Sequence, residues 1–144
     1  MDFPPVAGPV KILADGDTLS LGTLRLRMIA TPGHTPGGAS WAWQSCEAED
    51  CRQLVFADSL TPISAPGFRF GTEDGERVRE FRASVARVAA LDCDVLVSAH
   101  PSVSNLFERE ASGQLAQPGG CAQYARDAGE RLDARLQEEA AAAP

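Results

Sequence analysis

Thr31-Pro32-Gly33-His34-Thr35-Pro36-Gly37-Gly38 is the stretch on which the reading of this chain turns. Its prolines fix φ and its glycines permit a tight backbone path, so the segment is a loop that holds one histidine rigidly. Just before it, Leu24, Leu26 and Met28 alternate with Arg25, Arg27 and Ile29, the period of a strand. A histidine on a stiff loop at a strand end is how a metal ligand is presented, oriented before the metal arrives. Without further context, a lone loop histidine is a surface residue.

Working outward, Val10 to Ala30 reads as strand, turn, strand, with turns at Asp15-Gly16-Asp17 and Leu21-Gly22-Thr23. After the loop, Trp41–Gln44 and Gln53–Ala57 read as a hairpin with the acidic tip Glu47-Ala48-Glu49-Asp50, and 58–71 as irregular. Val78, Phe81, Val85, Val88 and Leu91 recur at helical spacing and predict an amphipathic helix from Glu73 to Leu91. A short apolar strand over Asp94–Ser98 and a loop over Ala99–Asn105 follow. A last helix runs from Cys121 to Glu139 with Cys121, Ala125, Ala128, Leu132 and Leu136 on one face, so 1–139 forms one domain and 140–144 a fraying tail. The order is β-rich, then β-loop-α-β-loop-α, an α/β fold. Each of the two histidines, His34 and His100, sits on a loop that follows a strand, and the two are expected to lie close in space.

Composition narrows the classes of function. With 44% hydrophobic and 23% charged residues the chain is globular rather than disordered. A net charge of −7 with no basic stripe argues against a nucleic-acid partner. The apolar runs are too short to span a membrane, and Met1-Asp2-Phe3-Pro4-Pro5 has neither the basic nor the apolar region of a signal peptide. No pair of the four cysteines, Cys46, Cys51, Cys93 and Cys121, is spaced Cys-x-x-Cys, which argues against a zinc knuckle or a thioredoxin-type site. Three disulfide pairings are formally open, beside the alternative of four buried thiols. A hairpin would bring Cys46 and Cys51 within bridging distance, and Cys93 then pairs with Cys121. The chain-entropy contributions are roughly 2 and 3.5 kcal/mol. Disulfides imply an oxidising compartment, periplasmic or extracellular.

Two further segments carry chemistry: Phe56-Ala57-Asp58-Ser59-Leu60-Thr61 at a strand end, and Cys93-Asp94-Val95-Leu96-Val97-Ser98-Ala99-His100-Pro101. Taken alone, Asp58 is a turn cap and His100 a satisfied polar residue. With the His34 loop, however, they resemble the metallo-β-lactamase superfamily, whose Thr-Pro-x-His-Thr-x-Gly motif the first stretch matches. Ala57-Asp58-Ser59-Leu60 and the Cys93-to-Pro101 segment are similar to subclass B3. The resemblance implies that His34 binds the first zinc and His100 the second, that Ser59 and Thr61 contact the substrate, and that Asp58 stands in the outer shell. The Cys93–Cys121 interval also matches the disulfide spacing of that group, and the Cys46–Cys51 bridge that of some members. It further implies two zinc ions in the complete enzyme and a β-lactam as substrate; a lactonase or thioesterase of the same fold is the alternative.

The resemblance runs from about Phe3 to the final helix and begins near the middle of the family domain. It therefore implies the C-terminal half of the four-layer αββα sandwich, one mixed sheet with covering helices. Two zinc ions with at least three protein ligands each need about six in all. In the family that this chain resembles, four of them come from an earlier His-x-His-x-Asp-His segment, which this sequence does not contain. The expectation is a chain inactive alone, whether a truncated product or a half that works with its missing N-terminal complement.

Overall fold

The computed structural model describes residues 5, 7–71 and 75–142. A five-stranded sheet runs in the order β1 (Thr18–Leu21), β2 (Leu24–Ala30), β3 (Ala39–Glu47), β4 (Asp50–Ala57) and β5 (Val95–Ser98). Its first four strands form an antiparallel meander and β5 joins β4 in parallel. Helices α1 (Glu76–Ala89) and α3 (Gly120–Ala141) cover one face. A 3₁₀ turn (Pro101–Val103) and α2 (Leu106–Ala111) lie between β5 and α3.

The core forms where α1 places Phe81, Ser84 and Val88, and α3 places Tyr124, Ala125, Ala128 and Leu132, over Val55, Ala57 and Leu96 of the sheet. The opposite face is apolar across all five strands over most of the sheet, giving way to Ser45, Arg52, Glu47 and Asp50 at the end of the β3–β4 hairpin. Register aligns Met28, Trp41, Phe56 and Val97 in one row and Trp43, Leu54 and Val95 in the next. Leu19 pairs with Leu26, and Leu21 with Leu24, on the same side. None of these eleven residues is buried, because none of the described residues forms a layer over them.

Several boundaries differ from the sequence reading. The segment before Asp15 is irregular rather than a strand, with Val10 and Ile12 70% and 90% exposed, because β2 runs out of free backbone: Met28 N donates to Asp17 O and Ala30 N to Asp15 Oδ1. The hairpin strands extend to Glu47 and Asp50, closing through Ala48 at φ 53°, so only the middle two residues of the acidic tip form the turn. The expected helix start at Glu73 lies outside the described residues; the helix is seen from Glu76. Leu106–Ala111 is helical where no helix was expected. The last helix continues to Ala141, past the expected start of the tail; 143 and 144 lie outside the described residues.

Both disulfides form. Cys46 and Cys51 are directly opposed across β3 and β4, 4.0 Å apart at Cα, and Cys93 joins Cys121 at the start of α3. The outer edge of β5 is plugged: Arg109 Nη2 donates to Leu96 O at 2.6 Å and Gln117 N to Asp94 O at 2.7 Å. At the far end of α3, Glu139 accepts from Phe70 N (3.0 Å), Gly71 N (2.9 Å) and Arg135 Nε (2.8 Å). Burial acts to raise this carboxyl, but those donors outweigh it and hold it below the usual carboxylate range.

Candidate metal-site rim

The strand directions bring the chemistry-bearing segments to one rim. β2, β4 and β5 end there and β3 begins there, so the loop 31–38, the turn 58–61 and His100 all leave the sheet at the same side. The strand ends of β2 and β5 are three spacings apart, about 14 Å. The loop of His34 folds back across that gap towards β4, where His34 Nδ1 lies 2.9 Å from the carbonyl oxygen of Thr61.

That loop is fixed from several sides. Thr31 N donates to Gly38 O, and Gly33 N and Gly38 N both point at Thr35 O. The Ser84 hydroxyl of α1 donates to Pro32 O at 2.5 Å. Two glycines are obligatory by close approach. A Cβ on Gly33 would stand 2.9 Å from the Phe81 ring, and one on Gly38 would collide with the Thr31 carbonyl oxygen. At the loop's base the buried Thr31 and Ser40 hydroxyls bond at 2.9 Å, and Ser40 Oγ accepts from Asp58 N at 3.0 Å.

Asp58 has both carboxylate oxygens engaged by backbone. Oδ2 accepts from Ala39 N (3.1 Å) and Oδ1 from Ser59 N (2.8 Å), so the side chain ties the start of β3 to the turn after β4. Ser59 and Thr61 are each 5% exposed, and their hydroxyls bond to each other at 2.6 Å. Whichever hydroxyl accepts in that bond keeps its own proton for a further acceptor. His100 is exposed and precedes the 3₁₀ turn; Ser98 Oγ donates to its carbonyl at 2.8 Å, and Val103 N does so at 2.9 Å.

A carbonyl only accepts, so in the neutral imidazole of His34 the proton sits on Nδ1 and the lone pair on Nε2. This is the arrangement in which a histidine serves as a metal ligand, its second nitrogen held by a backbone acceptor. His34 therefore fits a metal, and His100 shares its rim. Among the described residues no group of three or more His, Cys, Asp or Glu is placed to hold an ion.

The rim depends on residues that sequence patterning did not single out. Ser40 and Ser98 are polar positions on the covered face of the strands, visible as such only once that face is known. Tyr124, 3% exposed, donates its hydroxyl to Asp58 O (3.0 Å) and accepts from Leu60 N (3.2 Å). Three residues past Cys121, it occupies the helix face already marked as apolar; its being the one tyrosine of the chain was the available signal.

No family model matches the chain. A curated relative, hydroxyacylglutathione hydrolase of Acidiphilium cryptum (strain JF-5), is 34% identical over 139 residues, 92% of this chain and 53% of its own length. The solved structure of MIM-1, a metallo-β-lactamase from Novosphingobium pentaromativorans, is 46% identical with a TM-score of 0.88, over 99% of this chain and 52% of that one. MEM-A1, a subclass B3 metallo-β-lactamase from a soil metagenome library, is 40% identical with a TM-score of 0.85, over 95% and 56%. The chain spans about half the length of the proteins it matches.

Proposed function

We propose that this chain, a relative of the subclass B3 metallo-β-lactamases with the fold of half their domain, contributes one half of a zinc-dependent β-lactam hydrolase. The observation that carries the reading is the rim itself: His34 with its Nε2 lone pair free, the Ser59–Thr61 hydroxyl pair and His100 gathered at one end of one sheet. His34 and His100 would each hold one zinc ion, and zinc bound there would supply an activated water and polarise the lactam carbonyl. Ser59, with Thr61, donates a hydrogen bond to the substrate carboxylate. Asp58 holds the turn, outside the ligand shell. The hydroxyacylglutathione hydrolase likeness favours a thioesterase as second reading, but at lower identity than the MIM-1 and MEM-A1 structures.

Two histidines do not complete such a site, so the isolated chain is inactive. Its partner is the complementary half of the domain, supplying the remaining ligands. The docking surface is the apolar sheet face, since the relatives are about twice as long as this chain and the face lacks a covering layer among the described residues. The disulfides support a periplasmic or secreted setting.

The test is zinc content and nitrocefin turnover for the chain alone and after addition of a half bearing a His-x-His-x-Asp-His segment. Turnover only in the mixture, abolished by His34→Ala, is expected. Turnover by the chain alone overturns the half-site reading. A mixture that turns over a thioester but not nitrocefin shifts the assignment to the second reading.

A further inference from the structure

The turn that bears Ser59 is held by a residue to which no role has yet been given. β4 ends at Ala57, and beyond it the backbone groups of Asp58 and Leu60 must find partners outside the ladder. Tyr124 supplies both, donating to Asp58 O at 3.0 Å and accepting from Leu60 N at 3.2 Å. One hydroxyl of α3 thus grips the turn on either side of Ser59. The next residue along, Thr61, offers its carbonyl to His34 Nδ1 at 2.9 Å. The direction of that carbonyl decides whether the imidazole proton stays on Nδ1, and so whether Nε2 is free.

We propose that Tyr124 is a positioning residue for His34, holding the 58–61 turn so that the Thr61 carbonyl fixes the imidazole as its Nδ1–H tautomer. The inference rests on reading His34 as a metal ligand only for its functional meaning; the tautomer belongs to the chain without metal. Burial raises the Tyr124 phenol above the ordinary tyrosine range, while the Leu60 contact and Arg131, whose buried Nε and Nη2 are without a hydrogen-bond partner among the described residues, act the other way and Asp58 adds to the rise. The hydroxyl is therefore a donor throughout the neutral range.

The experiment uses the whole chain, labelled with 15N and free of metal, at about pH 8, above the ordinary histidine pKa of about 6.5. Imidazole nitrogen shifts report the tautomer of His34, and amide exchange reports Leu60 and, as a control in the sheet, Val55. Wild type is expected to show His34 as the Nδ1–H form with Leu60 protected. Tyr124→Phe is expected to speed Leu60 exchange at least tenfold, leave Val55 unchanged and shift His34 towards a tautomer mixture. Faster Leu60 exchange with an unaltered His34 tautomer reduces Tyr124 to a structural contact and overturns the proposal; so does unaltered Leu60 exchange. Should Tyr124→Phe fail to fold, global 3-fluorotyrosine replacement modifies this one residue, because the chain has a single tyrosine. Deprotonating the more acidic phenol removes the donor to Asp58, and the same tautomer shift must follow its ionisation or the proposal fails. Zinc titration is a separate arm. Binding about tenfold weaker in Tyr124→Phe is the expected second-shell effect. No zinc binding by wild type, reconstituted with its complementary half, would count against the metal assignment while leaving the tautomer result standing.

Discussion

Adjacent residues of β4 live in opposite surroundings. Val55 is fully buried beneath α1 and α3, while the side chain of Phe56 points to the uncovered face beside Trp41 and Val97. The covered face carries Ser40 and Ser98 close to the rim, whereas the uncovered one is apolar there and polar only at the far hairpin end, where Ser45, Arg52, Glu47 and Asp50 lie. Helices, then, hide a face with polar work to do near the rim, and a face built for burial lies open. The difference teaches that burial in this chain records two separate requirements, one met internally and one left for another layer.

Truncations on the two faces sharpen that contrast. Phe81→Ala removes a fully buried ring from the helical layer and takes away the surface on which Gly33 rests. A loss of about 3–5 kcal/mol in denaturant unfolding is expected. Cys93→Ser with Cys121→Ser, cutting the link between helical layer and sheet, should cost about 3.5 kcal/mol, whereas Cys46→Ser with Cys51→Ser, at the exposed hairpin end, should cost about 2. Equal costs for the two pairs would break the comparison.

Acid sensitivity should track the covered side as well. The Glu139 carboxyl is depressed by Phe70 N, Gly71 N and Arg135 against the raising effect of burial. Its contribution is present above the unfolded carboxylate range and is lost as pH falls through the lower folded value. Glu139→Gln should therefore cost about 1–3 kcal/mol at pH 7 and progressively less as the medium is acidified. A gap between wild type and variant that does not narrow on acidification would contradict it. The smallest effect belongs to the open face. Phe56→Ala should cost about 1 kcal/mol in the chain alone, less than Phe81→Ala, because its ring is only partly buried. The same change should reduce self-association measured by sedimentation, since large exposed apolar patches drive association.

The strands and both long helices were legible because their periods survive in the sequence: Leu24, Leu26 and Met28 for β2, and Val78, Phe81, Val85 and Val88 for α1. The disulfides were legible from the hairpin. By contrast, α2 has six residues and none buried, so it leaves no apolar stripe to read. Val10 and Ile12 read as strand because composition does not reveal that β2 has no edge left to offer. At the site, His34, Asp58, Ser59 and His100 stood out as strand-end residues on rigid or motif-bearing segments. Tyr124 and Ser40 act by reaching a turn distant in sequence, and such a contact has no local signature.

The Arg109 and Gln117 contacts on Leu96 and Asp94 have a directional consequence for this sheet. The Leu96 oxygen of β5 and the Asp94 oxygen just before it, which could template another strand, are already taken, so β5 is an end-stop. At the other margin β1 is exposed along all four residues, with its outer backbone edge unpaired in the sheet. Runaway sheet extension, the first step towards fibrils, therefore has one growing end, and a proline placed in Thr18–Leu21 would cap it without touching the rim.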